Sequence, residues 1–193
     1  NFVDSNISVK PTHIGLDISM DLARENFKKL IKKASESSNF LRIDMESSKN
    51  IDSTFEIYKY LFNSYPKVGV VLQAYLKRSI ADIEKLAGPA FNARICKGIY
   101  KEDKNIVYQN PEDINKNFLA MAKIMLAKNS YACYATHDLQ LIDDLVSLTK
   151  EMDADPSKFE FQVLYGVPMK GKLKKLLKSG YKVRVYVPYG PDW

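Results

Sequence analysis

Polar and charged residues recur at the ends of short apolar runs, and their types suit a recognisable chemistry. Lys10 closes the first run; Arg42, Asp44 and Glu46 stand at i, i+2 and i+4 around the end of the second. In a strand those three side chains share one face. Gln73 sits in Val70-Val-Leu-Gln-Ala-Tyr75, and Arg94 and Lys97 bracket Arg94-Ile-Cys-Lys-Gly-Ile-Tyr100. Thr136-His137-Asp138 closes a fifth run, Gln162 and Tyr165 a sixth, Tyr186 and Tyr189 a seventh. Cations, carboxylates, amides, a histidine and tyrosines gathered on one rim would bind a large polar ligand carrying phosphates, together with a small charged substrate. Each residue taken singly has a plainer reading. A lone Lys or Arg at a strand end is ordinarily surface charge, and Asp44 and Glu46 can neutralise Arg42 or cap a helix. A Gln in an apolar run is often satisfied by backbone, and His137 can simply precede a helix N-cap. His13, after Pro11, reads as part of a structural loop. The plain readings do not predict a polar residue at every strand end.

The elements that must carry this rim follow from the apolar periodicity. Runs rich in Val, Ile, Tyr and Phe fall at 7–10, 41–45, 68–74, 93–97, 131–136, 159–164 and 182–187. They predict seven strands. Stripes at helical spacing lie between them: Leu22, Phe27, Leu30 and Ile31, then Phe55, Ile57, Tyr58, Leu61 and Phe62, then Ile80, Ile83, Leu86 and Ala87. Phe118, Met121, Ala122 and Met125 form a fourth, Leu141, Leu145 and Leu148 a fifth, and Leu173, Leu176 and Leu177 a sixth buried stripe. Pro111-Glu112-Asp113 opens a helix, where the proline φ and the helix dipole favour it, and Gly180 stops the last one. Strand starts lie roughly 23 to 38 residues apart, the size of a repeated βα unit. Strands apolar on both faces belong to a parallel sheet covered by helices. A (β/α)8 barrel and an open doubly wound sheet both fit. No G-x-G-x-x-G or P-loop is present, and polar strand ends suit a barrel mouth, so the barrel is favoured.

Composition bounds the partners. The 193 residues are 46% hydrophobic and 27% charged, with a formal charge of +6, the profile of one globular domain spanning 1–193. The charge favours acidic partners, but Lys170, Lys172, Lys174, Lys175 and Lys178 interleave with leucines as a solvated helix face. Nucleic-acid binding is not expected. Cys96 and Cys133 lie in apolar runs and read as buried hydrophobes in a reducing compartment, and with His13 and His137 they are not spaced for a metal site. The start, Asn1-Phe2-Val3-Asp4, has neither a charged lead-in nor an apolar signal core, and no initiator Met. No nucleophile elbow or H-E-x-x-H occurs, which tilts the reading towards a cofactor that carries the chemistry.

Six strings resemble the flavin-dependent proline dehydrogenases: Ile43-Asp-Met-Glu46, Leu72-Gln-Ala-Tyr75, Arg94-Ile-Cys-Lys-Gly-Ile-Tyr100, Ala135-Thr-His-Asp138, Phe159-Glu-Phe-Gln-Val-Leu-Tyr-Gly166 and Val183-Arg-Val-Tyr-Val-Pro-Tyr-Gly190. They occur in the family's order and cover essentially the whole chain. The resemblance implies an α/β fold, a distorted (β/α)8 TIM-type barrel, with FAD across the C-terminal ends of its strands. It also implies oxidation of L-proline to Δ1-pyrroline-5-carboxylate by hydride transfer to flavin N5, with a membrane quinone as electron acceptor. By motif, Arg94 would lie beside N5 and Gln73 on the isoalloxazine edge, while Lys97, Gly98, Thr136 and His137 would hold ribityl and phosphate groups. Lys10 and Asp44 would reach the substrate, with Asp44 or a water as acceptor of the amine proton. Tyr100, Leu164 and Tyr186 would shape the proline cavity.

Departures accompany the likeness. The Lys10 strand resembles the family's second, and the chain stops at Trp193, before the final helix whose Arg pair grips the proline carboxylate. The expected barrel is therefore incomplete at both ends. Lys101 stands where some relatives place an aromatic that stacks on adenine. The alternative expectation is a catalytically silent flavin- or partner-binding fragment. A cytoplasmic location follows, with the quinone implying peripheral contact with the inner membrane, the mitochondrial one in a eukaryote.

Overall fold

The computed structural model describes residues 4–190; Asn1–Val3, at the start considered above, and Pro191–Trp193, which follow the last string, lie outside them. Seven strands alternate with six α-helices along the described chain. They fall into two compact units: the chain up to Leu72 with Ile99–Asp103, and Gln73–Gly98 with the chain from Lys104 onward.

In the first unit β1 (Ile7–Val9), β2 (Leu41–Ile43) and β3 (Val68–Gln73, through Leu72) are parallel, with Val9 opposite Ile43 and Ile43 opposite Val70. Helix α1 (Met20–Glu36) begins where the Ser19 hydroxyl accepts the Leu22 N–H at 3.1 Å, and it buries Ala23, Phe27 and Ile31. Leu22 and Leu30, expected in that stripe, are only half-buried. Helix α2 (Ile51–Phe62) buries Phe55, Ile57, Tyr58 and Leu61, and its Glu56 pairs with Arg24 of α1. Arg42 is 2% exposed; its guanidinium lies over the Phe40 ring and donates to the Val70 carbonyl at 2.9 Å. Asp44 and Glu46 are buried but lie beyond the end of β2, so strand geometry does not align them with Arg42.

The second unit carries β4 (Asn92–Cys96), β5 (Tyr131–Ala135), β6 (Phe159–Leu164) and β7 (Val183–Tyr186), parallel and in sequence order. The register sets Arg94 opposite Cys133 and Cys133 opposite Glu160; Ala135 faces Gln162, Gln162 faces Arg184, and Leu164 faces Tyr186. Because side chains alternate, Arg94, Cys133, Glu160, Gln162, Arg184 and Tyr186 share one face of the sheet. Ala93, Ile95, Ala132, Tyr134, Phe159 and Phe161 take the other and are at most 1% exposed. Tyr134, Phe159, Phe161 and Tyr181 make a cluster of tilted and edge-on rings, each adding roughly 1 kcal/mol beyond its area burial.

Helices α3 (Ser79–Leu86), α4 (Pro111–Ala127) and α5 (Leu139–Glu151) complete this unit with α6 (Lys172–Lys178). Helix α4 starts with Pro111 after an Asn110 cap and buries Phe118, Met121, Ala122 and Met125 completely. In α6 only Leu176 is buried. Leu177 stands 57% exposed, so the expected three-leucine stripe is corrected to a narrower one. Leu173, one turn before Leu176, is half-buried, while Leu177 is turned by about 100° from Leu176 and faces solvent. Among the described residues no helix is long and apolar enough to cross a membrane.

Candidate active site

Lys10, Asp44, Gln73, Lys97, Thr136, Leu164 and Tyr186 lie at or just beyond the C-terminal ends of strands, whereas Arg42, Arg94 and Gln162 lie within β2, β4 and β6. In the first unit Lys10 follows β1, and its carbonyl accepts the His13 N–H at 3.1 Å as the chain enters the turn Thr12–Ile14. Asp44 follows β2, with its N–H bonded to Val9 O at 2.9 Å, and its side chain is buried. Lys10 and Asp44 thus leave adjacent parallel strands at one end. The turn is held from below, because Glu46 accepts both the N–H (3.0 Å) and the hydroxyl (2.7 Å) of Thr12. Tyr100 is half-buried in the segment Ile99–Asp103, which Glu102 anchors by accepting the N–H and hydroxyl of Ser48, each at 2.6 Å.

In the second unit Gln73 is 2% exposed, and the chain after it is pinned on three sides. The Ser79 hydroxyl donates to Gln73 O at 2.6 Å, Ala74 N–H donates to Cys96 O at 2.7 Å, and the buried Asn117 amide donates to Ala74 O at 2.7 Å. Gly98 adopts φ +106°, and a Cβ placed there would run into the Tyr75 ring; only glycine lets this backbone lie on that ring.

Lys97 and Thr136-His137-Asp138 form a second cluster. Lys97 Nζ lies 2.7 Å from Asp138 Oδ2, which also accepts from Asn115 at 3.1 Å. Asp138 Oδ1 caps α5 by accepting the N–H groups of Gln140 and Leu141. The Lys97 ammonium, aided by Leu141 N–H and Asn115, outweighs the cost of partial burial and brings the Asp138 carboxyl down to about 2. Thr136 Oγ1 accepts the Asp138 N–H, leaving its own O–H to be donated. His137 is exposed, and its Nε2 accepts the Leu164 N–H at 2.9 Å, which puts the ring proton on Nδ1. The plain reading of this stretch holds alongside any functional one, since Asp138 is the N-cap that His137 precedes.

The third cluster is buried on the polar face of the sheet. Arg94, 9% exposed, donates from Nε to Gln162 Oε1 at 2.6 Å, and its guanidinium carbon lies 5.1 Å from the Tyr186 ring centre. Gln162 in turn donates from Nε2 to Glu160 Oε1 at 2.6 Å. Glu160 accepts Arg184 Nε at 2.7 Å, Arg184 Nη2 at 3.1 Å and the Tyr131 hydroxyl at 3.0 Å. Burial alone would raise the Glu160 carboxyl, but the bonds from Arg184, Gln162 and Tyr131 outweigh it and hold it below the usual range. The Tyr131 hydroxyl is pushed up, first by burial and then by the Glu160 charge.

The structure therefore joins Arg94 to Tyr186, Lys97 to the end of β5, and His137 to Leu164, while Lys10, Asp44 and Tyr100 belong to the first unit. Sequence reasoning passed over Glu160, Arg184 and Asn115. A signal existed for the first two: Glu160-Phe-Gln162 and Arg184-Val-Tyr186 place polar residues at period two inside apolar strands. Tyr165 and Tyr189, counted on the rim, stand in solvent. Cys133 is buried, its thiol donating to Asn92 Oδ1 at 3.7 Å, and Cys96 is half-buried; neither forms a disulfide.

The family profile described as proline dehydrogenase matches residues 2–192. Proline dehydrogenase 2 of Bacillus subtilis is 39% identical over 191 residues, covering 99% of this chain and 63% of that protein. The proline dehydrogenase of Deinococcus radiodurans is 35% identical over 192 residues, covering 97% and 62%. The chain thus spans under two thirds of the length of these curated relatives. Among solved structures, proline utilization A from Bdellovibrio bacteriovorus, inactivated by N-propargylglycine, superposes with a TM-score of 0.84 at 25% identity, over 96% of this chain and 22% of that one. The expected fold, strand–helix repeats of an incomplete (β/α)8 barrel, agrees with that likeness. Matched from its second residue to its second-last, the chain belongs to the proline dehydrogenase family.

Proposed function

We propose that this chain forms the greater part of one catalytic barrel domain whose protein oxidises L-proline to Δ1-pyrroline-5-carboxylate with FAD as its cofactor. When bound, FAD would supply the hydride acceptor, its N5 atom, and a membrane quinone reached by peripheral contact would be the electron acceptor. The observation that carries the reading is Arg94, a buried guanidinium clamped between the Gln162 amide and the Tyr186 ring. Such a cation keeps its geometry while an electron-rich neighbour gains negative charge, which is how preorganised charge lowers a barrier.

The donor set fits a flavin dinucleotide. Lys97 offers a cation, and Thr136 O–H and His137 Nδ1–H offer neutral donors at the end of one strand, a combination suited to phosphate and ribityl oxygens. Gln73 presents an amide that can match the hydrogen-bonding edge of a ring system, and Gly98 brings bare backbone to the same end. For the substrate, Lys10 and Asp44 supply charges of both signs, as a zwitterionic amino acid requires, and Asp44 or a water accepts the amine proton. In the second unit, Leu164 and Tyr186, opposite one another on β6 and β7, bound the small ring.

The test is the visible spectrum of the purified protein, before and after L-proline is added without oxygen. A flavin band that bleaches is expected. A band that persists would refute the proline reaction and favour a catalytically silent flavin-binding role, and the lack of any band would refute the cofactor as well.

A further inference from the structure

Gln162 can present either end of its amide to Arg94, and only one end works. The Arg94 Nε–H is a donor, so it needs the amide oxygen; a flipped amide would set N–H against N–H. Nothing in Gln162 itself selects the correct end. The neighbour that does is Glu160, whose carboxylate has no proton to give and so accepts only from the amide nitrogen. Arg184 and Tyr131 both donate to the same carboxylate and hold it in place. Neither Glu160 nor Gln162 has room to reorganise, being 2% and 3% exposed.

We propose that Glu160 is a positioning residue: it dictates which way the Gln162 amide faces, and through it fixes the Arg94 guanidinium against Tyr186. The relay runs along one face of β6 and across to β4, and each link is a bond of 2.6 Å. The depressed carboxyl of Glu160 agrees, since it keeps the residue an acceptor throughout the physiological range. The inference deepens the proposed function, because Arg94 is the cation on which that reading rests.

The relay makes an unusual forecast about a swap. Glu160→Gln alone lets both amides rotate, so the acceptor facing Arg94 is lost from part of the population. Glu160→Gln with Gln162→Glu restores it: residue 162 becomes acceptor-only towards Arg94, and the amide at 160 donates to it while its oxygen faces Arg184. A role for Glu160 only as the counter-ion of Arg184, or only as packing, predicts no change in Arg94 exchange in Glu160→Gln.

The readout is the side-chain Nε–H resonance of Arg94 in the ¹⁵N-labelled protein, assigned by its loss in Arg94→Lys. Its hydrogen exchange should be faster by about tenfold or more in Glu160→Gln, as expected for losing one charge-assisted bond, and should return to within about threefold of wild type in the swap. The rate of flavin bleaching by L-proline should fall and recover in parallel. Unchanged exchange in Glu160→Gln, or a swap no slower than the single variant, overturns the proposal. If Glu160→Gln does not fold, Glu160→Asp keeps the charge facing Arg184 but draws the carboxylate back from Gln162. Faster Arg94 exchange is expected there, and unchanged exchange overturns the proposal. A wild-type protein that fails to bleach refutes the proline reaction alone, since the exchange measurement needs no turnover.

Discussion

At the residue scale, the most exacting position outside the charged clusters is Gly98. Its φ of +106° is one that side chains rarely adopt, and the Tyr75 ring occupies the place of a Cβ. Gly98→Ala should therefore cost about 2 kcal/mol or more, from strain and collision together. Tyr75→Ala removes the collision but not the strain, so in a double-mutant cycle the two losses should sum to more than the double variant shows. Urea unfolding of the four proteins measures this, and strict additivity would refute the contact. Much of this scale was legible beforehand, since Arg94, Gln162 and Tyr186 stood out as polar residues in apolar strings. The bonds among them did not, because the partner of Glu160 depends on the register of β6 against β7, which no single strand encodes. The hold of Glu46 on Thr12 was hidden for the same reason: the residues are far apart in sequence, and only the pairing of β1 with β2 brings them together.

At the scale of elements, the tie between Lys97 after β4 and Asp138 at the start of α5 joins a strand end to a helix cap. Asp138 is depressed to about 2, chiefly by Lys97, so the pair stabilises the fold above the ordinary aspartate range and loses that contribution as pH falls towards 2. Lys97→Met should cost about 1 kcal/mol at pH 7, modest because both groups are partly exposed, and the penalty should shrink between pH 4 and 2 as Asp138 protonates in either protein. Unfolding at several pH values checks this; a penalty independent of pH would mean that Lys97 acts through its alkyl stem. Strands and helices were the most legible level, because seven apolar runs and a proline at the start of α4 are strong local signals. The short turns at Ser48–Asn50 and Pro156–Lys158 left no periodic trace, and the exposure of Leu177 depends on what α6 packs against rather than on its spacing.

For the molecule as a whole, the electrostatic balance leans on paired acids in a chain of net charge +6. Glu160 and Asp138 are both depressed, so both contribute stability at neutral pH and both lose it on acidification, the loss starting as pH drops below about 4 to 5. Protonating the remaining carboxylates adds positive charge and self-repulsion in the same direction. The melting temperature should be level from pH 7 to 5 and fall below pH 4; a melting temperature that rises on acidification would contradict the assignment of Glu160 as a charged acceptor. Fold class was readable at this scale from the βα spacing, and the division of the chain into two compact units was not, since no linker or change of composition marks it.

The alternation on the second unit's sheet has one more consequence. Its polar face carries a hydrogen-bonded relay and its apolar face carries packed rings, so each strand possesses something like a reading frame. Adding or deleting one residue within β6 would send Glu160 and Gln162 among the phenylalanines and turn Phe161 into the relay. A change of length is therefore expected to be tolerated in the connections and not within β6, where only substitution keeps each position in phase.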